Sequence, residues 1–364
     1  MNRLKKTDYL TKYFSVLRTL CTIAIALVIV FLIIFFVSED PVLAIRKLVL
    51  GPLENKRSFF NVLERAVPLI FSALALNIIL RSGVFSIAAD GSFYMGAVVA
   101  TAVAIKVQLP NILHQCVLIL AAAIVGGLIS MLPIILAKYT KVNATVLSIM
   151  FNSIFYYVGY SIVSAYLLEK QSGQWGSEYF PDTARLGKLI SGTSMNWGFL
   201  IMIAAVFFVI FLMEKTSFGY KVRVTGINSA FAKSAGIKTG KVILGASFIS
   251  GMVAGVGGAV EIVGMYKRFQ WQTSVNYVWD GLMVHMLANE NPYFIPLTAF
   301  FIAYLRIGAE IMSRATDLDN EIVAFLQCIV ILLVGSERFL ASVKKRQEQK
   351  NALRQAQEAS EEGV

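Results

Sequence analysis

"GVFSIAADGSFYMGA", residues 83–97, decides how this chain is read. It sets one carboxylate, Asp90, between Ser86 and Ser92 and punctuates the stretch with Gly83, Gly91 and Gly96. Apolar runs flank it on both sides. Hydrocarbon offers the backbone no hydrogen bonds, so non-helical chain survives at membrane depth only when protein buries it or when it lines a polar cavity. A charged side chain at the centre of a span costs roughly 2.5–3.5 kcal/mol on insertion scales. Gly91 permits a break, and Asp90 is a good N-cap for the apolar run that follows. The stretch therefore predicts an interrupted helix. Its polar groups either meet a solute or cap the helix end.

Composition sets the class. The chain has 364 residues, 57% hydrophobic and 15% charged, with a mean hydropathy of +0.68. Soluble domains carry roughly 25% charged residues. The expectation is an all-α, polytopic helical membrane protein. The net charge of +11 lies beside apolar runs, where cations set topology and meet lipid headgroups rather than nucleic acid. Cys21, Cys116 and Cys328 have no CxxC spacing and read as buried structural thiols. No metal site is expected.

Runs that can cross a bilayer fall at 20–37, 66–80, 93–106, 116–137, 145–168, 197–213, 242–264, 293–313 and 322–340. The basic residues before the first run place residues 1–19 in the cytoplasm. The loop 214–241 carries Lys215, Lys221, Arg223, Lys233, Lys238 and Lys241 against one acid, Glu214, and reads as cytoplasmic. The mixed loop 169–196 reads as external. The basic tail 341–364 also reads as cytoplasmic, which nine crossings cannot satisfy. The segment 277–288, "YVWDGLMVHMLA", is the candidate for the missing one. The transmembrane domain, 20–340, is expected to hold about eight to ten segments, some interrupted. Asp90-Gly91 and Asp280-Gly281 hint at a two-fold internal repeat.

Polar groups inside the runs are the candidate substrate pathway: Asn77, Ser86, Asp90, Ser92, Tyr94, Asn152, Tyr156, Trp279, Asp280 and His285. Asn152, Tyr156 and Tyr160 share one helix face and suit a ring-shaped, hydroxyl-rich ligand by stacking and hydrogen bonding. "GIKTGKV", 236–242, fails as a phosphate loop, because three residues separate its glycines and Val242 stands where a hydroxyl should hold magnesium. No nucleophile, base or metal constellation follows either, so no catalytic residue is expected. In the cytoplasmic loop, Asn228 or Ser229 can cap a helix over 230–235, and Gly236 can end it in the left-handed conformation. Two turns are unstable alone. Phe231 and Ala235 give them a small apolar face for docking.

These residues resemble a family. The chain looks like the membrane permease subunit of a bacterial ABC importer, in the group of branched-chain amino acid and ribose permeases. It is most similar to purine-nucleoside permeases that work with a basic-membrane-lipoprotein type of binding protein. Gly83, Phe85, Ile87, Gly91, Gly96 and Ala97 follow the family's pattern after the second span, while Ser86, Ala88, Asp90 and Ser92 depart from it. Phe218, Gly219, Arg223, Gly226, Asn228, Ala232, Ala235, Gly236 and Ile237 follow its loop. "GMVAGVGGAVEIVGMYKRF", 251–269, and "WDGLMVHMLANENP", 279–292, resemble two further segments.

The resemblance implies a transport subunit without enzymatic activity or a cofactor of its own. It would lie in the bacterial plasma membrane with both termini in the cytoplasm. ATP and magnesium belong to a partner ATPase docked through Phe218, Gly219, Arg223, Gly226, Asn228, Phe231, Lys233, Gly236 and Ile237. The other implied partners are a second permease subunit, identical or not, and a substrate-binding lipoprotein outside. The implied solute is a nucleoside or nucleobase, with a ribose-like sugar as the alternative. The rival reading is an ion-coupled transporter or channel using Asp90, Glu261 or Asp280.

Overall fold

A computed structural model describes residues 31–36, 38–170, 173–190 and 192–316. The first and last expected spans, the terminus 1–19 and the tail 341–364 lie wholly or largely outside the described residues. The chain divides into two units, Leu53–Tyr304 and the two flanking segments Met1–Pro52 with Leu305–Val364. In the flanking unit, helix α1 (Pro41–Glu54) meets residues 305–315 closely. A Cβ on Gly51 would stand 2.9 Å from Ile311 Cγ2, and one on Gly308 would overlap the Leu48 carbonyl.

The larger unit is a bundle in which α2 (Lys56–Leu80), α3 (Ala89–Lys106), α4 (Asn111–Thr140) and α9 (Thr239–Met265) form the core. Around them stand α5 (Ala144–Ile162, closed by a π turn at Val163–Leu167), α6 (Gly198–Lys215), α10 (Tyr277–Leu287) and the start of α11 (Ile295–Ala315). Two short helices, α7 (Ser217–Ile227) and α8 (Ser229–Ser234), fill the basic loop. Six helices among the described residues are long and apolar enough to span a membrane.

Apolar side chains alone would not hold such a bundle together in lipid, so close backbone packing and hydrogen bonds must contribute. Gly251, Gly255 and Gly258 line one face of α9. A Cβ on them would overlap the backbone at Gly126, Ala122 and Phe93 respectively. Between these contacts, Ser92 Oγ lies 2.9 Å from the Gly126 carbonyl. The Ser247 hydroxyl donates to Ser130 O at 2.6 Å, and that of Ser250 to Ala75 O at 2.7 Å.

Contacts sort the loops into two ends. Gly83 meets Gly226, Arg81 meets Glu214, and Phe85 meets Thr145 at one end. At the other, Val103 lies near His114, Arg185 near Gln115, and Glu169 pairs with Arg268. This alternation follows the order of crossings expected from the charges.

Three expectations change. The span expected from residue 66 begins ten residues earlier, because Glu64 and Arg65 lie within α2 and Glu64 is buried against Asn196 at 3.1 Å. The segment 277–288 does not span as a helix, since eleven residues reach roughly 16 Å. Residues 266–276 precede it as a non-helical limb, and limb and half-helix together pass from the Glu169 end to the Arg81 end. Cys116, expected to be buried, is an exposed free thiol on α4.

Candidate functional site

The opening stretch divides at Ala88. Residues 84–87 are non-helical, and α3 starts at Ala89. Asp90 is not the N-cap. Ala88 holds that position in helical geometry, and Asp90 lies in the first turn. The freed backbone is satisfied by α5. Phe85 O accepts from Thr145 Oγ1 at 2.7 Å, and Ile87 N donates to Ser148 Oγ at 3.1 Å. Asn152 works twice: its Oδ1 accepts from Gly91 N and its Nδ2 donates to Ile87 O, both at 3.0 Å. These bonds show how a break survives at membrane depth, with α5 side chains supplying partners for its freed backbone groups.

Asp90, 5% exposed, accepts a short hydrogen bond from the Tyr156 hydroxyl. That hydroxyl also lies 2.8 Å from Ser274 Oγ on the limb 266–276. Next to it, the Tyr94 hydroxyl donates to Trp271 O at 3.0 Å. The Trp271 ring stacks on Phe93 with centroids 6.2 Å apart, and Tyr94 meets Tyr156 edge to face at 5.0 Å. Tyr277, at the start of α10, donates to the buried Glu261 at 3.0 Å. The two interrupted segments therefore meet at Asp90, Tyr156 and Ser274. They approach from opposite ends: one limb rises from Gly83 and the other descends from Arg268.

A loop secures the descending limb. Phe269 O accepts from Ser177 N and Phe269 N donates to Ser177 Oγ, both at 3.0 Å. Arg268, 5% exposed, pairs with Glu169 at 2.8 Å. Tyr160 stacks flat on Trp175 at 4.8 Å. It is a packing residue beneath this loop.

At the opposite end, α10 finishes in two consecutive left-handed residues, Asn289 and Glu290. Asn77 Nδ2 donates to Glu290 O at 2.8 Å and lies 3.3 Å from His285 Nδ1. A short helix follows the expected grammar nearby. Asn228 Oδ1 accepts from Phe231 N at 3.0 Å, and Gly236 takes φ +80°. Ala232 is buried, while Phe231 is 61% and Ile227 86% exposed.

A family model described as the branched-chain amino acid transport system / permease component matches residues 58–335. The chain belongs to this family. The permease is 30% identical over 348 residues to the glucose ABC transporter permease protein TsgB13 of Haloferax volcanii, covering 91% of this chain and 88% of that one. It is 26% identical to the guanosine ABC transporter permease protein NupP of Bacillus subtilis, with 80% and 85% covered. It is 23% identical to the nucleoside ABC transporter permease protein NupB of Lactococcus lactis, with 81% and 84% covered. Family and helices together make it a multi-pass ABC-type permease subunit.

The permease sorts the expected pathway residues into two groups. Asn77, Ser86, Asp90, Ser92, Tyr94, Asn152 and His285 are buried, and Tyr156 is half-buried. Their hydrogen bonds to protein groups help hold the two breaks together. Trp279 is 40% exposed and Asp280 is half-buried. The residues expected to dock also divide. A Cβ on Gly219 would overlap the α6 backbone, Gly226 lies against Arg81, Arg223 donates to Met213 O and pairs with Glu214 at 3.3 Å, and Phe218 packs by Gly245. Asn228, Phe231, Lys233 and Gly236 face outward, with Ile237 half-buried.

The sequence reading missed the neighbouring face of α5. Ser153, Tyr157 and Ser161 are exposed, one residue on from the expected trio, and Tyr157 is 76% exposed. Gln272, Thr273 and Asn276 beside Ser274 are exposed as well. The spacing of Ser153, Tyr157 and Ser161 at i, i+4 and i+8 was a usable signal.

Proposed function

We propose that this permease is the membrane subunit of an ABC importer for a neutral, hydroxyl-rich ring solute, a nucleoside, nucleobase or sugar. One observation carries the reading: exposed, uncharged polar residues occur on α5 and on the limb, the two elements that Tyr156 and Ser274 join. Ser153, Tyr157 and Ser161 on α5 and Gln272, Thr273, Asn276 and Trp279 on the limb and α10 are exposed. No charged residue occurs in 144–167 or 269–279. Hydroxyls and amides facing lipid would be poorly satisfied, so a second permease chain faces them across a solute path. Such a face pairs with hydroxyl and ring-nitrogen groups and stacks on a ring. Its exposed members carry no charge for an ion, and Asp90 at the junction is buried on Tyr156. The relatives named for guanosine and glucose fit that chemistry, both solutes being neutral and polyhydroxylated.

Under this reading, the end that carries α7 and α8 is cytoplasmic, as its lysines require. An ATPase holding ATP and magnesium docks on Phe231 and the rim of Asn228, Lys233 and Gly236. A lipid-anchored binding protein delivers solute at the Trp175 end. Alternating access then moves the two limbs relative to one another. In proteoliposomes containing the complete complex, labelled guanosine or glucose should accumulate only with ATP and the binding protein. Phe231→Asp should lower uptake at least tenfold and leave solute capture by the binding protein intact. Unchanged uptake in that variant rejects the docking surface. Accumulation driven by an ion gradient without ATP rejects the importer reading in favour of a secondary transporter.

A further inference from the structure

The break after α2, the end of α10 and α7, the helix that leads into the proposed docking helix α8, all close on one carboxylate. Glu214 is the last acid of α6, two residues before the Thr216 cap that starts α7. Its Oε1 lies 2.7 Å from Arg81 Nη1, and its Oε2 lies 3.3 Å from Arg223 Nη1. Arg81 is the C-cap of α2, immediately before the break. Its Nε donates at 3.1 Å to the carbonyl of Glu290, the second of the two left-handed residues that end α10. Arg223 belongs to α7 and also donates to Met213 O. Beneath these charges, Gly83 and Gly226 bring the two backbones together. A Cβ on Gly83 would lie 2.9 Å from Gly226 Cα.

These contacts have separate geometric tasks. Arg81 uses two different nitrogens for two different elements, Nη1 for α6 and Nε for the end of α10. A planar guanidinium fixes both directions at once, which an ammonium cannot do. Glu214 uses its two oxygens for two arginines, one at the end of α2 and one in α7. All three side chains are partly shielded, at 17%, 27% and 31% exposure, so solvent screens the pairs less than on an open surface. Left-handed geometry at two successive non-glycine residues is strained and persists only where neighbours hold it. Asn77 and Arg81 supply that hold on Glu290 O.

We propose that Glu214 and Arg81 are positioning residues that transmit movement of α7 to both interrupted segments at once. The assignment rests on the importer reading above. A displaced α7 would carry Arg223 and Gly226 with it. Through Glu214 and Arg81 it would pull the Gly83 limb and the end of α10 together. Severing the link should leave hydrolysis running while solute stays where it is.

The test measures ATP hydrolysis and uptake of labelled guanosine or glucose in the same proteoliposomes. These hold the complete complex of permease, ATPase and binding protein. Glu214→Gln, once shown to assemble by co-purification in normal stoichiometry, should lower uptake at least tenfold and hydrolysis less than twofold. Glu214→Asp keeps the charge and should restore much of the uptake. Arg81→Lys keeps the ion pair and loses the second donor to Glu290, so it should raise the ATP consumed per solute severalfold. It also serves should Glu214→Gln fail to assemble. An unchanged ratio of uptake to hydrolysis in assembled Arg81→Lys or Glu214→Gln overturns the proposal, as does an equal fall in both rates. Wild-type vesicles that accumulate solute without ATP reject the importer reading itself, and with it any coupling role for these residues.

Discussion

The Tyr156 hydroxyl lies between Asp90 and Ser274 and bonds to both. Asp90 belongs to the segment that rises from Gly83, and Ser274 to the segment that descends from Arg268. One phenol on α5 therefore joins two chain breaks that lie far apart in sequence.

Tyr156→Phe removes that joint and leaves the buried Asp90 without its hydroxyl donor. Losing a partner to a buried polar group costs about 1–3 kcal/mol, and more for a charged one. The purified permease should melt several degrees lower in detergent. Asp90→Asn in the same background should recover part of the loss, because a neutral amide is less costly to leave buried. Equal melting of wild type and Tyr156→Phe would show that the joint carries no stability.

Asn152 and Ser153 are adjacent and have opposite expectations. Asn152→Ala leaves Gly91 N unpaired inside the break and leaves Ile87 O with Asp90 N as its remaining donor, at about 1–3 kcal/mol for the orphaned amide. It should lower folded yield and melting temperature. Ser153→Ala on the exposed face should change stability by less than about 0.5 kcal/mol. In the uptake assay, Ser153→Ala and Tyr157→Phe should raise KM for solute several-fold. Wild-type KM in both would remove α5 from the proposed path.

Gly226→Ala places a methyl group against the Arg81 carbonyl, where there is no room for it. Overpacking of this kind costs about 1–3 kcal/mol. The variant should lose stability, while Gly236→Ala should do so for a different reason, its φ of +80°. Gly240, with open space around its Cβ position, is the control. Comparable melting of Gly226→Ala and Gly240→Ala would contradict the close approach.

Gly255→Val tests the packing of α9 against α4. A side chain there meets the Ala122 carbonyl and the Gly126 backbone. Two helices held by backbone proximity cannot separate by a side-chain width and keep their contacts. The variant is expected to be degraded or aggregated on expression, measured as folded protein per cell by size-exclusion chromatography.

The helices were largely legible in the sequence because each is a long apolar run, and the seven expected spans among the described residues correspond to helices. The start of α2 was missed because Glu64 and Arg65 look like a membrane boundary, whereas Asn196 on the distant loop receives Glu64. The limb 266–276 was missed because it is neither helical nor strand-paired and so carries no periodicity to read. The missing crossing was legible only from charge parity. At α5, sequence placed the polar stripe on the helix but chose the face that packs on the breaks. Apolar residues surround that helix, so hydrophobic contrast does not say which side turns inward. The grammar of the short helix, from the Asn228 cap to Gly236, was legible because caps depend on local backbone alone.

The limb 266–276 has a consequence for how the chain enters the membrane. Its backbone groups find their partners in Ser177, Tyr94 and the residues around them, not in a helix of its own. Released alone into lipid, each such group would cost several kcal/mol. The insertion machinery therefore meets a segment it cannot pass sideways into the bilayer as a span. α3 and the loop that carries Ser177 precede the limb in the chain and supply its partners, so they are expected to be in place before it enters. In chains truncated after Leu287, a cysteine at position 272 should become shielded from membrane-impermeant reagents only when the 168–180 loop is intact. Early shielding without that loop would contradict late entry. Entry of the limb into the bilayer is thereby expected to depend on α3 and on the loop that carries Ser177, rather than on hydrophobicity of the limb itself.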